Sequence, residues 1–257
     1  MVKQRILTVD IGNTSTFFAE ISNGKIGRSL RTGTKRTHAS NVARDLKKRF
    51  DLKRIDAIVI ASVVPSLGRS LRQTLPRALG VKTLLIGKDL QVPIVNKYRY
   101  PKQVGIDRLV NAYAAYQTHR GPAVIIDFGT AITFDAISAK GEYLGGVIAP
   151  GIEISLEALF ERTALLPKTT LRHVLTTVIG RDTVESIRIG CSTGIGGLCD
   201  RMTDRIRRKL GRKTIVIATG GYASFMKRYC RSIHRVAPGL TIQGIWLTYK
   251  NHSKKNT

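Results

Sequence analysis

The sequence predicts an α/β protein with two similar subdomains, each built on a mixed sheet. Strand-like and helix-like segments alternate along the chain, as in α/β proteins. A strand–turn–strand pattern also occurs twice, with its Asp residues 117 positions apart. The 257 residues are enough for two such subdomains. We expect them to comprise residues 1–115 and 116–257.

The repeated pattern joins two apolar runs through an Asp-x-Gly turn. The first copy contains Asp10-Ile-Gly12-Asn-Thr14, and its second run ends at the turn Ser22–Lys25. The second copy contains Asp127-Phe-Gly129-Thr130, and its second run ends at Ala139–Gly141. Short β-like runs joined by turn residues indicate β-hairpins.

The remaining elements are predicted from hydrophobic periodicity and from turn residues. Helices are expected at 39–50, 66–79, 105–119, 152–161 and 183–210, and strands at 55–63 and 214–218. The last strand leads into Thr219-Gly-Gly221, a turn whose glycines permit close approach of a flat ring or a ribose. Glycine at an ordinary strand-to-helix turn is the simpler alternative.

The chain is strongly basic, with 43 Lys and Arg against 17 Asp and Glu and a formal net charge of +26. Hydrophobic residues make up 42%, which indicates a folded protein and excludes a disordered basic tail. Nucleic acid, an anionic surface and phosphate-bearing small molecules all fit a positive field. The net charge alone does not distinguish among these partners.

Membrane and secreted classes are not expected. The longest stretch without charge or histidine, Val236–Tyr249, is short and interrupted by proline and glycine. The first apolar run stops at Asp10, so no signal peptide is predicted. Cys191, Cys199 and Cys230 lie far apart, which suggests neither a disulfide framework nor a zinc site. We expect a cytoplasmic protein that does not bind membranes.

The two Asp-x-Gly turns have the chemistry of a polyphosphate site. Glycine lets the backbone approach a ligand, and successive N–H groups form an anion-binding concavity. A carboxylate beside a phosphate requires a cation between them, so Asp10 suggests Mg²⁺ or its hydration water. Ordinary hairpin chemistry is the alternative for one turn, but the duplication favours a ligand.

A fourth motif, Gly105-Ile106-Asp107-Arg108, begins a predicted helix. Asp107 is a candidate base for deprotonating a hydroxyl, and Arg108 could bind a substrate carboxylate or phosphate. On spacing alone, Asp107 could equally be a helix N-cap beside a surface charge.

The ordered set of motifs resembles type III pantothenate kinase from about residue 6 to 248. The resemblance rests on Asp10–Thr14, Gly105–Arg108, Asp127–Asp135, Gly145–Gly151, Thr163–Pro167, Ala218–Gly221 and Leu240–Gly244. It implies the actin-like, sugar-kinase-like ATPase fold, which is related to ribonuclease H. It also implies phosphorylation of pantothenate by ATP, the first step of coenzyme A synthesis, with Mg²⁺ and with K⁺ or NH₄⁺. A homodimer with pantothenate near the subunit interface is implied as well.

The resemblance assigns roles residue by residue. It implies ATP contacts from Asp10, Ile11, Gly12, Asn13, Thr14, Ser15, Thr16, Phe17 and Thr130. It implies pantothenate contacts from Tyr98, Gly105, Ile106, Asp107, Arg108 and Thr183. Asp107 would accept the proton, Asp10 would hold Mg²⁺ through water, and Asp127 would bind the monovalent cation. Members often carry an acidic residue where this chain has Gln103.

Two alternatives share the fold. One is a catalytically weak, nucleic-acid-associated regulator, and the other is a sugar or acetate kinase. The sequence shows no helix-turn-helix, zinc-finger or RNA-binding signature, and the basic run 201–210 is typical of a solvated helix face. Residues 121–161 contain six acidic residues and one basic residue, so the positive charge lies outside the second turn. Nucleic acid is therefore not an expected partner.

Overall fold

The computed structural model describes residues 4–171 and 173–255. The chain folds into two compact units, one formed by Met1–Thr118 with Gly239–Thr257 and the other by His119–Pro238. The strands are β1 Arg5–Ile11, β2 Ser15–Ser22, β3 Lys25–Gly33, β4 Ala57–Ser62, β5 Thr83–Leu85, β6 Ala123–Phe128, β7 Ala131–Ile137, β8 Tyr143–Pro150, β9 Ile215–Thr219 and β10 Arg235–Val236. The helices are α1 Ala39–Arg49, α2 Pro65–Leu79, α3 Ile106–His119, α4 Ile152–Glu161, α5 Thr183–Ile189, α6 Ile195–Leu210, α7 Ala223–Met226 and α8 Leu240–Lys255.

The first unit contains a five-stranded mixed sheet in the order β3-β2-β1-β4-β5. Strands β1, β2 and β3 form an antiparallel meander, while β4 is parallel to β1 and β5 is parallel to β4. Strand β4, which lies between β1 and β5, is buried along nearly its whole length, as expected for a strand covered on both faces.

The second unit repeats this arrangement. Its sheet has the order β8-β7-β6-β9-β10, with an antiparallel β6–β7–β8 meander and with β9 and β10 in parallel pairing. Strand β6 therefore corresponds to β1 and β9 to β4. The α/β class with two mixed sheets, predicted from the sequence, is confirmed.

Each face of the first sheet has its own apolar core. On one face, Leu7 and Val9 of β1 pack with Leu46 of α1 and Leu71 of α2. On the other, Val110 of α3 packs with Ile242, Ile245 and Trp246 of α8. A Cβ on Gly244 would collide with the Val110 carbonyl, so glycine lets the backbones of α3 and α8 approach closely. Burial of one large apolar side chain, such as Leu7 or Ile242, contributes about 1.5–3 kcal/mol to the stability of the fold.

Helix α8 also alters the predicted division of the chain. The sequence assigned residues 116–257 to the second subdomain, whereas Gly239–Thr257 belongs to the first unit. The reason is that Ile242, Ile245 and Trp246 are buried against the first sheet.

In the second unit, one large cluster joins β6, β7 and β9 to the helices. Its members include Phe128, Phe134, Leu156, Cys199 and Met226. The predicted helix 183–210 is observed as α5, a π-helical segment Gly190–Gly194, and α6. All three cysteines are free and buried. Within the described residues, no helix is both long and apolar enough to cross a membrane.

Candidate functional site

The first Asp-x-Gly turn closes the β1–β2 hairpin. Asp10 pairs with Phe17 on β2 and with Ala61 on β4, so it lies at the carboxyl end of a central strand. Asn13 and Thr14 are exposed at the tip of the turn, while Ile11 and Thr16 are buried. The amide of Gly12 donates to the Ser15 carbonyl at 3.0 Å. In the predicted ATP-binding run Asp10–Phe17, the tip is exposed, and the remaining residues are half-buried or buried.

Thr34, directly after β3, fastens this turn. Its hydroxyl donates to the Gly12 carbonyl at 2.7 Å and lies 3.1 Å from the hydroxyl of Thr16. Its amide donates to the Thr14 carbonyl at 2.9 Å. Both flanks of the exposed tip are therefore hydrogen-bonded to one residue, which limits the conformations of the tip.

The Gly105–Arg108 motif lies at the same edge of the first sheet. Val63, which follows β4, donates its amide to the Ile11 carbonyl at 3.0 Å. Its side chain would lie 3.5 Å from a Cβ on Gly105. Gly87, which follows β5, lies against Ile106 in the same way. The carboxyl ends of β1, β4 and β5 therefore meet near the start of α3, the usual ligand-binding edge of such sheets.

Asp107 is half-buried in the first turn of α3. Its carboxylate accepts the Arg108 amide at 2.8 Å, so it satisfies one of the N–H groups that a helix start leaves unpaired. Burial raises the pKa of Asp107 above that of an ordinary aspartate, against the lowering effects of the Arg108 amide and charge. A Cβ at position 105 would collide with this carboxylate. Asp107 lies inside the helix, after its start at Ile106, and Arg108 is buried, so the alternative of an N-cap beside a surface charge is wrong. The carboxylate has increased proton affinity.

The other predicted pantothenate contacts occupy three different settings. Arg108 is buried within the first unit. Tyr98 is half-buried in the segment before α3, where its amide donates to Asn96 Oδ1 at 3.0 Å. Thr183, in the second unit, is exposed as the first residue of α5, directly after the N-cap Asp182.

The second Asp-x-Gly turn is packed against glycines. Asp127 pairs with Thr133 on β7 and Thr219 on β9, the position that Asp10 has in the first sheet. Gly220 has a φ of +91°, and a Cβ there would lie 2.5 Å from Asp127 Oδ1 and 2.6 Å from the Phe128 carbonyl. The Gly-Gly motif and the Asp-x-Gly motif, predicted separately, are therefore neighbours.

Two further residues complete this cluster in the second unit. Gly151, the N-cap of α4, lies so close to Thr130 that a Cβ would collide with the Thr130 carbonyl. Tyr222, after the Gly-Gly turn, donates its hydroxyl to Glu153 at 3.2 Å. Burial, with the Glu153 charge, raises the Tyr222 pKa. Beside this pair lies a cavity of about 230 Å³, lined by Glu153, Leu156, Glu157, Lys168, Thr169, Thr170 and Tyr222.

The side-chain atoms that could ligate a cation at both turns are oxygens. Within residues 4–171 and 173–255, no three His, Cys, Asp or Glu side chains cluster to hold a metal ion. Each turn supplies one carboxylate, from Asp10 or Asp127, and Asp127 pairs with Thr133 and Thr219 on the adjacent strands. Oxygen donors suit hard cations, and Mg²⁺ bound with substrate phosphates needs only one or two carboxylates.

Sequence reasoning did not identify Thr34, Tyr222 or Glu153. Thr34 could have been found by extending the hairpin, because the β2–β3 register places Gly33 opposite Ser15. Tyr222 follows a Gly-Gly pair that was recognised. Glu153 lies 69 residues from Tyr222, and nothing in the sequence links them.

The fold and the two turns define a class. Two mixed sheets of identical order, each with an Asp-x-Gly turn at the carboxyl end of its central strand, characterise the actin-like and sugar-kinase-like ATPase fold. A ROK family glucokinase from Streptomyces griseus, solved with glucose and AMPPNP, has this fold with a TM-score of 0.54 and 10% identity. That match covers 96% of this chain and 99% of the glucokinase.

A second solved structure is similar over the whole chain. A protein assigned to the Baf family of transcriptional activators, from Campylobacter jejuni, has a TM-score of 0.62 and 20% identity, covering 97% of this chain and 100% of that one. At this identity the likeness concerns the fold alone.

The sequence comparisons identify the family. Residues 6–205 match the type III pantothenate kinase family. The type III pantothenate kinase of Moorella thermoacetica is 37% identical, covering 96% of this chain and 100% of the relative. That of Persephonella marina is 40% identical, covering 96% and 99%. The chain belongs to the type III pantothenate kinase family.

Proposed function

We propose that this protein transfers the γ-phosphoryl group of ATP to the primary hydroxyl of pantothenate, giving 4′-phosphopantothenate for coenzyme A synthesis. Family membership supports the reaction. The observation that carries the site is the repeated topology, in which Asp10 and Asp127 hold equivalent positions on β1 and β6. Each such turn is suited to binding phosphate oxygens.

Asp107 is the base in this proposal. Phosphoryl transfer depends on positioning and charge neutralisation, with little covalent chemistry for the protein to perform. The protein must still accept the hydroxyl proton. A carboxylate whose pKa is raised by burial holds that proton better than a solvated one. Glycine at position 105 leaves room for this carboxylate, because a Cβ there would meet Asp107 Oδ1.

Two cations complete the proposal. Mg²⁺, when bound, neutralises the phosphate charges, and Asp10 would hold it through water. Asp127 would hold K⁺ or NH₄⁺, since its carboxylate lies beside the Gly220 and Phe128 backbone and is accompanied by oxygen donors. The exposed tip residues Asn13 and Thr14 would position the ATP phosphates with Thr130.

The remaining assignments follow the family. Tyr98, Arg108 and Thr183 would contact pantothenate, and the protein would act as a cytoplasmic homodimer. Arg108 suits the pantothenate carboxylate because a guanidinium binds carboxylates through paired hydrogen bonds.

The proposed activity is tested by pantothenate-dependent ADP release in the presence of Mg²⁺ and K⁺. Omitting pantothenate, Mg²⁺ or the monovalent cation should each abolish release, and glucose should not replace pantothenate. ADP release that does not depend on pantothenate would contradict the proposal. Salt-sensitive DNA binding without kinase activity would support the regulator instead.

The role of Asp107 is tested by Asp107→Asn. We expect kcat to fall about 10²–10⁴-fold, as for loss of a general base, with ATP affinity unchanged. Asp45→Asn is the matched control, because Asp45 is a partly exposed carboxylate on α1 that pairs with Arg44. An Asp107→Asn variant that keeps more than about a tenth of wild-type kcat would exclude the base role.

A further inference from the structure

The second unit carries an apolar groove that the proposed reaction does not use. The groove has a volume of about 450 Å³ and lies between strand β8 and helix α6. Clefts that bind small molecules measure roughly 300–1,000 Å³. Its lining residues are Ala136, Leu144, Gly145, Gly146, Val147, Met202, Arg205, Ile206, Lys209 and Leu210.

The groove exists because the sheet is locally without side chains. Ala136 pairs with Gly145 at a point where the β7–β8 register shifts, and Gly145 has a φ of +116°. Gly145 and Gly146 present only backbone to the helix above them. Strand β8 is the edge of the sheet, so no further strand closes this side. The result is an apolar slot that is open at the edge.

The wall of the groove is the apolar stripe of α6. Met202, Ile206 and Leu210 recur every four residues, so they lie on one face of the helix. All three are partly buried against the core cluster of the second unit. An unbranched alkyl chain could lie along this stripe and bury surface that water now covers.

Two cationic side chains lie at the rim of the groove. Arg205 and Lys209 are one helical turn apart and exposed, and the groove has no acidic lining residue among those described. Within residues 4–171 and 173–255, neither forms an ion pair, whereas Arg208 on the same helix pairs with Asp204 at 2.7 Å. Like charges at this spacing repel each other, and an anion between them would relieve that repulsion.

We propose that this groove binds a medium-chain alkyl carboxylate, with the chain along Met202 and Ile206 and the carboxylate between Arg205 and Lys209. A guanidinium and an ammonium favour a carboxylate, and the apolar floor and wall favour its chain. Burial of each methylene should tighten binding about fourfold, until the groove is filled.

The groove is remote from the second Asp-x-Gly turn. Ala131 and Pro150 pair next to the turn, and Ala136 and Gly145 pair at the groove, five residues further along β7. At about 3.4 Å per residue, the separation is roughly 17 Å. The inference therefore stands independently of the proposed kinase reaction, and its test does not require activity.

Titration calorimetry with octanoate, decanoate and dodecanoate, each below its micelle concentration, tests the proposal. We expect saturable binding whose Kd falls about fourfold per added methylene, with decanol binding more weakly than decanoate. Arg205→Ala with Lys209→Ala should raise the decanoate Kd at least about tenfold, as for loss of charged hydrogen bonds, and leave decanol binding unchanged. Arg212→Ala with Lys213→Ala removes the same charge outside the groove and should have no effect.

The methyl groups of the methionines can show where decanoate binds. The chain has three methionines. Met202 lines the groove, whereas Met226 is fully buried in the core of the same unit. In spectra of methyl-labelled protein, decanoate should shift the Met202 signal and leave the Met226 signal in place.

The proposal would be overturned by the absence of saturable binding, by a Kd independent of chain length, by equal weakening in the two double variants, or by an unmoved Met202 signal. Binding to anionic lipid vesicles without binding of free carboxylates would indicate a membrane surface instead, and it would also overturn the proposal.

Discussion

The two Asp-x-Gly turns occupy the same position in sheets of the same order, yet they are held in different ways. The first turn is fastened by hydroxyl and amide hydrogen bonds from Thr34. The second is held by close backbone packing, which the absence of side chains at Gly151 and Gly220 permits. Hydrogen bonds from one residue can be lost one at a time, whereas close packing tolerates no added atom. The same topology therefore predicts different responses to substitution.

The largest expected effect is at Gly220. Gly220→Ala adds a Cβ into the Asp127 carboxylate and the Phe128 carbonyl at a positive φ. Overpacking and backbone strain each cost about 1–3 kcal/mol, so we expect about 3 kcal/mol of destabilisation in denaturant unfolding. Gly221→Ala is the adjacent control, since a Cβ there has no neighbour within 4 Å. Equal loss in both variants would show that close packing does not hold this turn.

A smaller effect is expected at the first turn. Thr34→Val keeps the shape of the side chain but removes the hydroxyl that bonds Gly12. A part-buried hydrogen bond contributes about 1 kcal/mol, so unfolding should be easier by that amount and the KM for ATP should rise. Thr34→Ser, which keeps the hydroxyl, should restore both. An unchanged unfolding free energy and an unchanged KM for ATP in Thr34→Val would show that the hydroxyl does not hold the turn.

The pH dependence of kcat/KM tests Asp107, which belongs to neither turn. Burial favours the neutral carboxyl group and so raises the pKa of Asp107. A base must be deprotonated, so kcat/KM should fall on acidification at a pH above the ordinary aspartate value of 3.8. The measurement is kcat/KM against pH at saturating Mg²⁺ and K⁺. An acid limb at or below 3.8 would count against Asp107.

The smallest expected effect concerns the surface charge. Residues 121–161 are acidic overall, whereas the whole chain carries +26. If this basic surface attracts ATP and pantothenate as a general field, kcat/KM for ATP should decline severalfold as salt rises from about 0.01 M to about 1 M. An unchanged kcat/KM would leave the positive charge without a steering role.

The elements that could be predicted from the sequence are those that depend on local residue patterns. The two hairpins and the helix starts near residues 39, 65, 106 and 152 follow from periodicity and turn residues. The sequence did not predict that residues 183–210 contain the π-helical segment Gly190–Gly194, because such segments are rare and occur mostly as single turns within α-helices.

Contacts between segments that are distant in the chain could not be predicted from the sequence either. The tie between Tyr222 and Glu153 and the packing of Gly151 against Thr130 join segments that are distant in the chain. Helix α8 was missed because its stretch, rich in uncharged residues and interrupted by glycine, has no clear helical stripe. Its place is decided by burial of Ile245 and Trp246.

The place of α8 has a consequence for the order in which the protein is made. Its residues complete one face of the first core, although they are synthesised after the whole second unit. Domains generally fold as units during synthesis. The second unit, residues 119–238, is therefore complete in sequence before the first, whose residues 4–118 await their last helix. A free chain that ends at residue 238 should contain a protease-resistant second unit and an incompletely protected first one.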